Sequence, residues 1–587
     1  MTAFDTTVHA HLSHLYGPRA AEVQRRLNLH LTHFLAARKA PTATGKRAQH
    51  APSWSEKDQW LIAYGDSIVD DQTPPLAVLN DFLQARLGER ISGVHVLPFF
   101  PWSSDDGFSV IHYREVNPDL GDWQHIQTLA RHYDLMADLV LNHVSRESLW
   151  FVDYLSGSLP GRDYFIEVDP DTDVSAVVRP RSSPLLVPIS TRRGTRYLWA
   201  TFSEDQLDLN FENPDVLLEF VGILLFYLEQ GTRIVRLDAV AFLWKRLGTP
   251  CIHLPETHTV VRLLRAIVDH VAPGTLLITE TNVPHHENIS YFGLDLQADG
   301  PPDEAHMIYQ FTLPPLLLHT LTRGETSTLQ AWLASLPPLP DHCTYLNFTA
   351  SHDGIGVRPL EGLLPDHERD ALLELMHRFG GFVSMRSNPD GSDTPYEINI
   401  TWFEAMQGTR KGPDPWQIAR FLCSQAIMLS LQGIPALYIH TLTGTLNDVE
   451  GVERSGRLRS INRRRWQRRE LDLLLDSTAT PTHDVFNALS RLLEYRRQEP
   501  CFHPNAAQRV LASEPSLLAI ERGPLASGRR LLALYNVTEV PLSFEQLGDD
   551  VQCALSSTSW QPLSGETDWQ PTDPLPPYAV RWLTNNP

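Results

Sequence analysis

Short runs of strand-forming residues alternate with stretches of helix length along most of this 587-residue chain. In order, the runs include GVHVLPFF, MADLVLNHV, GTRIVRLDAVAF, TLLITETN, TYLNFTASHD and PALYIH. Alternation of this kind builds βα units, whose strands lie parallel in one sheet. In a chain of this length it favours a closed barrel over an open sheet. We therefore predict an α/β fold with a (β/α)8 TIM barrel.

Three segments flank or interrupt this pattern. Residues 1–55 carry a helical pattern that ends in a linker-like stretch, PTATGKRAQHAPS, and predict an N-terminal helical extension. The barrel is predicted over residues 56–150 and, with loop insertions, over residues 206–500. The polar stretch between them, residues 151–205, is too long for an ordinary loop and predicts a small inserted subdomain B. Residues 501–587 contain strand-like runs between turn signals, which predict a C-terminal antiparallel β domain.

Charge and cysteine usage exclude several classes of partner. The chain has 49 Lys and Arg against 70 Asp and Glu, and its net charge of −21 repels nucleic-acid phosphates and anionic membrane surfaces. We therefore predict no nucleic-acid partner and no membrane partner. The five cysteines are widely spaced and the N-terminus lacks an export-signal pattern, so we expect reduced thiols and a cytoplasmic location. The sequence does not indicate an oligomeric state.

Polar residues end four of the apolar runs. Barrel enzymes carry their catalytic groups at the carboxyl ends of the strands, where the βα loops begin. The four runs end on Asn142 and His143, on Arg236 and Asp238, on Glu280, and on His352 and Asp353. Three carboxylates are therefore predicted to converge on one rim of the barrel.

Asp238 and Glu280 fit the requirements of glycosidic cleavage with retention. This reaction needs one carboxylate to attack the anomeric carbon and a second carboxyl group, about 5 Å away, to protonate the leaving oxygen. Arg236 lies two residues before Asp238, so it points to the same face of the strand and holds that carboxylate ionised. Each residue alone would be interpreted as part of a structural salt bridge, but the whole ordered set favours catalysis.

The four strand ends resemble the four short sequence regions of family 13 glycoside hydrolases, the α-amylase superfamily. They occur here in order as DLVLNHV, RIVRLDAVAF, LLITETN and TASHDG, and the resemblance extends from about residue 61 to residue 582. It implies that Asp238 is the nucleophile, Glu280 the general acid/base and Asp353 the transition-state stabiliser. It also implies a subsite for the transferred glucose that is lined by His143, Arg236 and His352.

Within that superfamily the chain is most similar to the sucrose phosphorylase subfamily, through GVHVLPFFPWSSDDGF, HDGIGVRPLEGLLP and RLRSINR. The resemblance implies that Asp105 and Arg459 close around the far hydroxyls of the glucose. From the residues alone, Asp105 is a turn aspartate and Arg459 belongs to a surface basic cluster. One position departs from the pattern: relatives carry an aspartate where this chain has His112, for which we expect a structural role.

The acceptor side is more similar to the glucosylglycerate phosphorylases and the sucrose 6-phosphate phosphorylases. The stretch NPDGSDTPYEINI does not reproduce the contacts to fructose, and the resemblance implies that Tyr396 and Glu397 bind the acceptor or phosphate there. Arg181 in RPRSS matches a basic residue that relatives bring to this side, where phosphate docks; a solvated loop arginine is the alternative. Both groups use substrates that are anionic at the acceptor end, so a guanidinium is expected there, from Arg181, Arg358 or Arg386.

These resemblances imply a hexosyltransferase, a retaining glycoside phosphorylase that moves an α-glucosyl group from a small glucoside to inorganic phosphate. The expected substrate is 2-O-α-glucosylglycerate, with sucrose 6-phosphate, sucrose and glucosylglycerol as alternatives. Spacing alone does not separate phosphate from water as the acceptor, so hydrolysis or transglycosylation stays open, as does an inactive sugar-binding relative. The sequence contains no nucleotide-binding motif and no complete metal-ligand pattern, so we expect no cofactor and no metal.

Overall fold

A closed barrel of eight parallel strands forms the centre of the molecule. The computed structural model describes residues 2–37, 54–293, 302–387, 392–565 and 569–585. We number the barrel strands β1 (Trp60–Ala63), β2 (Gly93–Val96), β3 (Asp134–Val140), β4 (Thr232–Asp238), β5 (Leu276–Thr279), β6 (Met307–Tyr309), β7 (Thr344–Asn347) and β8 (Ile434–Tyr438). Each strand pairs with its neighbours in chain order, and β8 closes on β1. The predicted TIM barrel is confirmed.

Helices cover the outside of the barrel. The longer ones that follow barrel strands are Pro75–Arg86, Trp123–His132, Pro214–Glu229, Pro255–Val271, Leu313–Arg323, Gln417–Ser430 and Pro481–Gln498. The sequence specifies their starts: Asn213, for example, accepts a hydrogen bond from the backbone of Asp215, and Pro214 occupies the first turn. Of the helices within the described ranges, none combines the length and apolar character needed to cross a bilayer.

Strand register decides which side chains meet at the rim. Arg236 of β4 lies beside Asp138 of β3, and Leu237 of β4 lies beside Thr279 of β5. Asp238 ends β4 and Glu280 directly follows β5, so the two carboxylates are neighbours on adjacent strands.

A small unit interrupts the barrel between β3 and β4, as the sequence predicts. It contains the helix Leu149–Ser156 and the hairpin of strands Leu186–Thr191 and Gly194–Trp199. At its base, strands His143–Ser145 and Gln206–Asp208 pair antiparallel, which places His143 opposite Asp208.

A second insertion follows β7. Its three antiparallel strands, Ile355–Gly356, Asp393–Asn399 and Phe382–Ser387, form what we call the rim sheet, in which Asp393–Asn399 is central. The helix Asp366–Arg378 connects the outer two strands.

The C-terminal region forms an antiparallel sheet, as expected. Its strands, in spatial order, are Gln508–Val510, Leu517–Arg522, Leu531–Asn536, Val580–Asn585 and Trp560–Pro562. One face packs against the barrel core, and the other covers a separate apolar cluster that includes Leu517, Leu532 and Val551.

Two N-terminal helices, α1 (Ala3–Tyr16) and α2 (Ala20–Ala37), lie against the outside of the barrel. They pack on the helices Pro255–Val271 and Pro214–Glu229, which follow β4 and β3. Phe4 stacks on His270 with ring centroids 3.9 Å apart, and the Tyr16 hydroxyl donates to the carbonyl of Phe211 at 3.0 Å. The linker expected at residues 41–53 lies outside the described residues.

Candidate active site

Three carboxylates lie at the carboxyl-terminal rim of the barrel. Asp238 is the last residue of β4, Glu280 follows β5, and Asp353 lies six residues beyond β7. The Ala239 N–H donates to Glu280 Oε2 at 3.0 Å, which ties the end of β5 to the residue after Asp238. Ala239 has φ 50°, a conformation uncommon for a residue with a side chain, and the bond to Glu280 helps to hold it there.

A buried chain of charges supports Asp238 from below. Arg236 Nη1 donates to Asp238 Oδ1 at 2.5 Å and to Asp138 Oδ1 at 2.6 Å. The other oxygen of Asp138 lies 2.7 Å from His95 Nε2. Asp138 is fully buried and holds the Arg236 guanidinium in place through this hydrogen bond. Arg236 in turn orients the Asp238 carboxylate.

Burial controls the protonation of the central pair. It raises the pKa of Glu280 to about 7, with Arg236 opposing and the Asp238 charge reinforcing the shift. Burial also raises the pKa of Asp238, again against Arg236. The hydrogen bonds favour Glu280 as the site of a proton shared by the pair, because Arg236 donates directly to Asp238 whereas Glu280 receives the neutral backbone N–H of Ala239.

Asp353 is held as an anion. Burial alone would raise its pKa, but the Arg459 guanidinium and His352 outweigh burial and hold the pKa well below its usual range. Arg459 Nη1 lies 2.6 Å from Asp353 Oδ1, and His352 Nε2 lies 3.5 Å from Oδ2.

Arg459 also binds the rim sheet. Its Nη2 donates to Glu397 Oε1 at 2.5 Å and its Nε to Glu397 Oε2 at 3.1 Å. Glu397 is 1% exposed, and both of its carboxylate oxygens accept hydrogen bonds from Arg459. Asp105 accepts a hydrogen bond from Gln206 Nε2 at 3.3 Å.

Aromatic and imidazole rings wall the subsite. Phe108 stacks on His352 with centroids 4.9 Å apart and planes 6° apart. The Arg236 guanidinium lies 5.6 Å from the ring centroid of Phe108. His143 Nε2 lies 2.8 Å from the Phe108 carbonyl oxygen and 3.2 Å from Gln206 Nε2. The expected glucose-lining residues are therefore brought together with two that the sequence did not single out, Phe108 and Gln206.

An ammonium group is enclosed by oxygens next to this wall. Lys245 Nζ lies 2.6 Å from Asn142 Oδ1, 2.6 Å from Asp208 Oδ2, and within hydrogen-bonding distance of the Phe242 carbonyl. Asp208 is fully buried and also receives the Asn142 amide at 3.0 Å. We call this arrangement the lysine cage. Within the described ranges, no group of three or more His, Cys, Asp or Glu is placed to hold a metal.

Arg181 and Tyr396 meet on the acceptor side. The Arg181 guanidinium carbon lies 5.5 Å from the centroid of the Tyr396 ring. Burial raises the pKa of Tyr396 to about 12, with the Glu397 charge adding to the shift, so Tyr396 stays a neutral hydrogen-bond donor. Tyr396 lies at an irregularity of the rim sheet, where Ser384 pairs with Glu397 but Met385 pairs with Pro395, so Tyr396 has no partner in that ladder.

The three arginines expected as anion binders differ in their partners. Arg358 Nη2 lies 3.4 Å from Glu287 Oε2, and Arg386 Nη2 donates to Glu361 at 3.2 Å. In the part of the chain that the structure describes, Arg181 has no carboxylate partner. Of the three, Arg181 is therefore the one whose charge no carboxylate among the described residues neutralises.

Several site residues escaped sequence reasoning. Asn282, two residues after Glu280, lines a small cavity together with Asp353 and packs against Gly356, where a Cβ would lie 2.6 Å from the Asn282 amide nitrogen. The sequence run ETN draws attention to Glu280, but Asn282, two residues later, lies in the same loop. His112, by contrast, accepts a hydrogen bond from the Arg114 backbone at 3.3 Å within its own turn.

The chain is similar in sequence and in fold to known proteins. The family described as "Alpha amylase, catalytic domain" matches residues 83–344. Glucosylglycerate phosphorylase of Escherichia coli (strain K12) is 47% identical over 497 residues, 84% of this chain and 87% of that protein. Glucosylglycerate phosphorylase of Allomeiothermus silvanus is 44% identical over 575 residues, 98% of this chain and 97% of that protein. The crystal structure of sucrose 6F-phosphate phosphorylase from Thermoanaerobacter thermosaccharolyticum matches with a TM-score of 0.70 at 24% identity, covering 85% of this chain and 96% of that one.

The fold and the rim define a (β/α)8-barrel enzyme with its carboxylates on the ends of β4 and β5 and on the loop after β7. The chain belongs to the α-amylase family, glycoside hydrolase family 13, in the group that includes glucosylglycerate and sucrose phosphorylases.

Proposed function

We propose that the protein is a retaining glycoside phosphorylase that transfers an α-glucosyl group from 2-O-α-glucosylglycerate to phosphate. The observation that carries this proposal is the Asp238–Glu280 pair, joined through Ala239, in a chain 44% identical over 98% of its length to a glucosylglycerate phosphorylase. An inactive sugar-binding relative would not need all three carboxylates, nor the guanidinium that keeps Asp238 ionised.

In the first step, the Asp238 carboxylate attacks carbon 1 of the glucose. The bond from carbon 1 to the glycerate oxygen breaks, and Glu280 gives its proton to that oxygen. A glucosyl ester of Asp238 forms and glycerate leaves as an alcohol. Asp353, held anionic by Arg459, stabilises the positive charge that develops on the sugar ring.

In the second step, phosphate attacks carbon 1 and the ester bond to Asp238 breaks. Glu280, now ionised, takes the proton from the attacking phosphate oxygen. Two displacements at the same carbon restore the α configuration, so the product is α-glucose 1-phosphate. His143, Arg236, His352, Asp105 and Arg459 hold the glucose through both steps.

Arg181 supplies the positive charge that an anion needs in a protein of net charge −21. Its position over Tyr396 and its lack of a carboxylate partner among the described residues support a role in holding phosphate or the glycerate carboxylate. Glu397 carries charge of the wrong sign for an anionic acceptor, and Arg459 neutralises it. All five cysteines are free, which suits the cytoplasm that we propose as its compartment.

The test is the reverse reaction. The protein is incubated with α-glucose 1-phosphate and D-glycerate, glycerol, fructose or fructose 6-phosphate in turn, and phosphate release is measured. We expect D-glycerate to give the highest kcat/KM and the Asp238→Ala variant to release no phosphate. A wide preference for fructose 6-phosphate, fructose or glycerol would replace the glycerate assignment. Release of glucose and phosphate at an undiminished rate when the acceptor is omitted would replace phosphorolysis by hydrolysis.

A further inference from the structure

The loop after β2 has an uncommon backbone conformation. Asp105 and Asp106 both have positive φ, 54° and 48°, and Gly107 follows at 113°. Two consecutive non-glycine residues with positive φ require support from the surrounding structure. Gly107 has no room to change, because a Cβ there would lie 2.7 Å from the Pro98 carbonyl oxygen. We call residues 103–109 the donor loop.

Asp205 fastens both ends of the donor loop. Its carboxylate accepts hydrogen bonds from the hydroxyls of Ser103 at 2.6 Å and Ser109 at 2.8 Å, and also from Ser104. The two residues with positive φ lie between these contacts, so another group must hold the centre of the loop.

Arg463 holds the centre. Its Nη1 donates to Asp106 Oδ2, its Nε donates to the His352 carbonyl at 2.9 Å, and its guanidinium lies 5.6 Å from the Tyr64 ring centroid. The Arg463 side chain is only 6% exposed. One buried guanidinium therefore joins the donor loop to the residue before Asp353 and to the end of β1.

A cavity of about 1040 Å³ lies behind this ion pair and is lined in part by Tyr64, Asp106 and Arg463. On the other side of the loop, Asp105 bonds to Gln206, which in turn contacts His143. Asp106 and Arg463 thus border open space, into which the donor loop could relax if the pair were removed.

We propose that Asp106 and Arg463 are positioning residues of the donor subsite, whose ion pair directs the Asp105 carboxylate at the end of the glucose ring opposite the reacting carbon. The inference rests on the proposed function only in requiring that the site bind a glucose unit. Neither residue contacts the substrate, so their effect reaches the sugar through Asp105.

The test measures whether Asp106 changes recognition of a hydroxyl that it does not touch. Calorimetry gives the Kd of the full-length protein for 1-deoxynojirimycin, an iminosugar shaped like glucose, and for its 4-deoxy analogue. A hydrogen bond to a charged group corresponds to roughly 10-fold or more in Kd, which we expect as the wild-type preference for the parent compound. In Asp106→Asn, which tolerates the positive φ but removes the charge, we expect that ratio to fall to about 2 to 3.

Arg463→Met should lower the ratio in the same way, and Arg463→Lys should restore part of it. Arg465→Met is the matched control, because Arg465 lines the same cavity but pairs with Asp66 at 2.8 Å; its ratio should equal that of the wild type. A Kd for the 4-deoxy analogue within about 3-fold of the wild-type value shows that a variant is folded. If Arg463→Met does not fold, the Kd ratio of Asp106→Asn alone tests the proposal.

An unchanged ratio in Asp106→Asn, or a wild-type protein with no preference for the parent compound, overturns the proposal. The assay needs neither phosphate nor turnover. If the protein does not catalyse phosphorolysis, the binding result still holds. If the binding result contradicts the role of Asp106, the proposed phosphorolysis is not affected.

Discussion

Arg459 and Glu397 form a two-point ion pair, with nitrogen to oxygen distances of 2.5 and 3.1 Å, at the junction between the glucose subsite and the rim sheet. The same guanidinium reaches Asp353 at 2.6 Å. A residue carried by the rim sheet therefore orients the guanidinium that keeps Asp353 ionised.

Replacing Glu397 by Gln should impair the donor step rather than acceptor binding. We expect kcat/KM for α-glucosyl fluoride to fall about 10-fold, because Arg459 loses a charged partner and its alignment with Asp353. The KM for D-glycerate in the reverse reaction should change less than 3-fold. A large rise in that KM with an unaltered donor step would show instead that Glu397 contacts the acceptor, as the family resemblance implies.

Asp238→Ala should abolish turnover, and Glu280→Ala should lose several orders of magnitude with the natural donor. The two variants should differ with α-glucosyl fluoride, whose leaving group needs no acid: Glu280→Ala should still accumulate a glucosyl ester on Asp238. Mass spectrometry of the intact protein measures that adduct. Near-normal activity of Asp238→Ala with the natural donor would contradict the assignment of the nucleophile.

The pH dependence should report Glu280. The first step needs its proton, and the raised pKa of about 7 means that the proton is present below this pH and lost above it. We expect kcat/KM for glucosylglycerate to decline as pH rises through about 7. With α-glucosyl fluoride, the same alkaline decline should be absent from kcat/KM. If kcat/KM declined equally with both donors, the alkaline decline would be due to a group other than Glu280.

Arg181→Ala should raise the KM for phosphate by about 10-fold or more, because it removes a guanidinium that has no competing carboxylate among the described residues. Arg192→Ala is the matched control, since Arg192 is an exposed arginine of the same inserted subdomain, in the turn of its hairpin. Initial rates over a range of phosphate concentrations measure both. Equal effects of the two variants would attribute the change to overall charge.

Lys245→Met should destabilise the fold by roughly 3 kcal/mol, because it leaves the buried Asp208 carboxylate without its cation. The shift of Tm in a thermal melt measures this loss. Adding Asp208→Asn should recover part of it, since the charge that needs compensation is then gone. A double variant less stable than Lys245→Met would argue against charge compensation as the cause.

The barrel and its rim carboxylates could be predicted because each depends on local pattern. Asp238 and Glu280 end apolar runs, and in a parallel barrel all strands end on the same rim. The support beneath them could not be predicted. Asp138 lies inside an apolar run and looks like an interruption of it, since its partner Arg236 is 98 residues away and strand register brings the two together.

The burial of two arginines near residue 460 could not be predicted from the sequence either. Five arginines between residues 457 and 465 have the composition of a solvated surface cluster. In the structure the side chains of Arg459 and Arg463 are 16% and 6% exposed, whereas those of Arg464 and Arg465 are 36% and 61% exposed. Arg459 pairs with Asp353 and Glu397, and Arg463 pairs with Asp106, all of which are distant in the sequence, so the local sequence does not reveal which arginines are buried.

The lysine cage has a consequence for the conditions under which the enzyme works. A cage of buried oxygens that takes up a free cation is stabilised in proportion to the logarithm of the ion concentration, and it empties when that concentration falls. Here the cation is attached to the chain at Lys245, so the cage fills once, on folding, whatever the mineral content of the surroundings. A chelator that removes dissolved divalent cations should therefore leave the pairing of Lys245 with Asp208 intact.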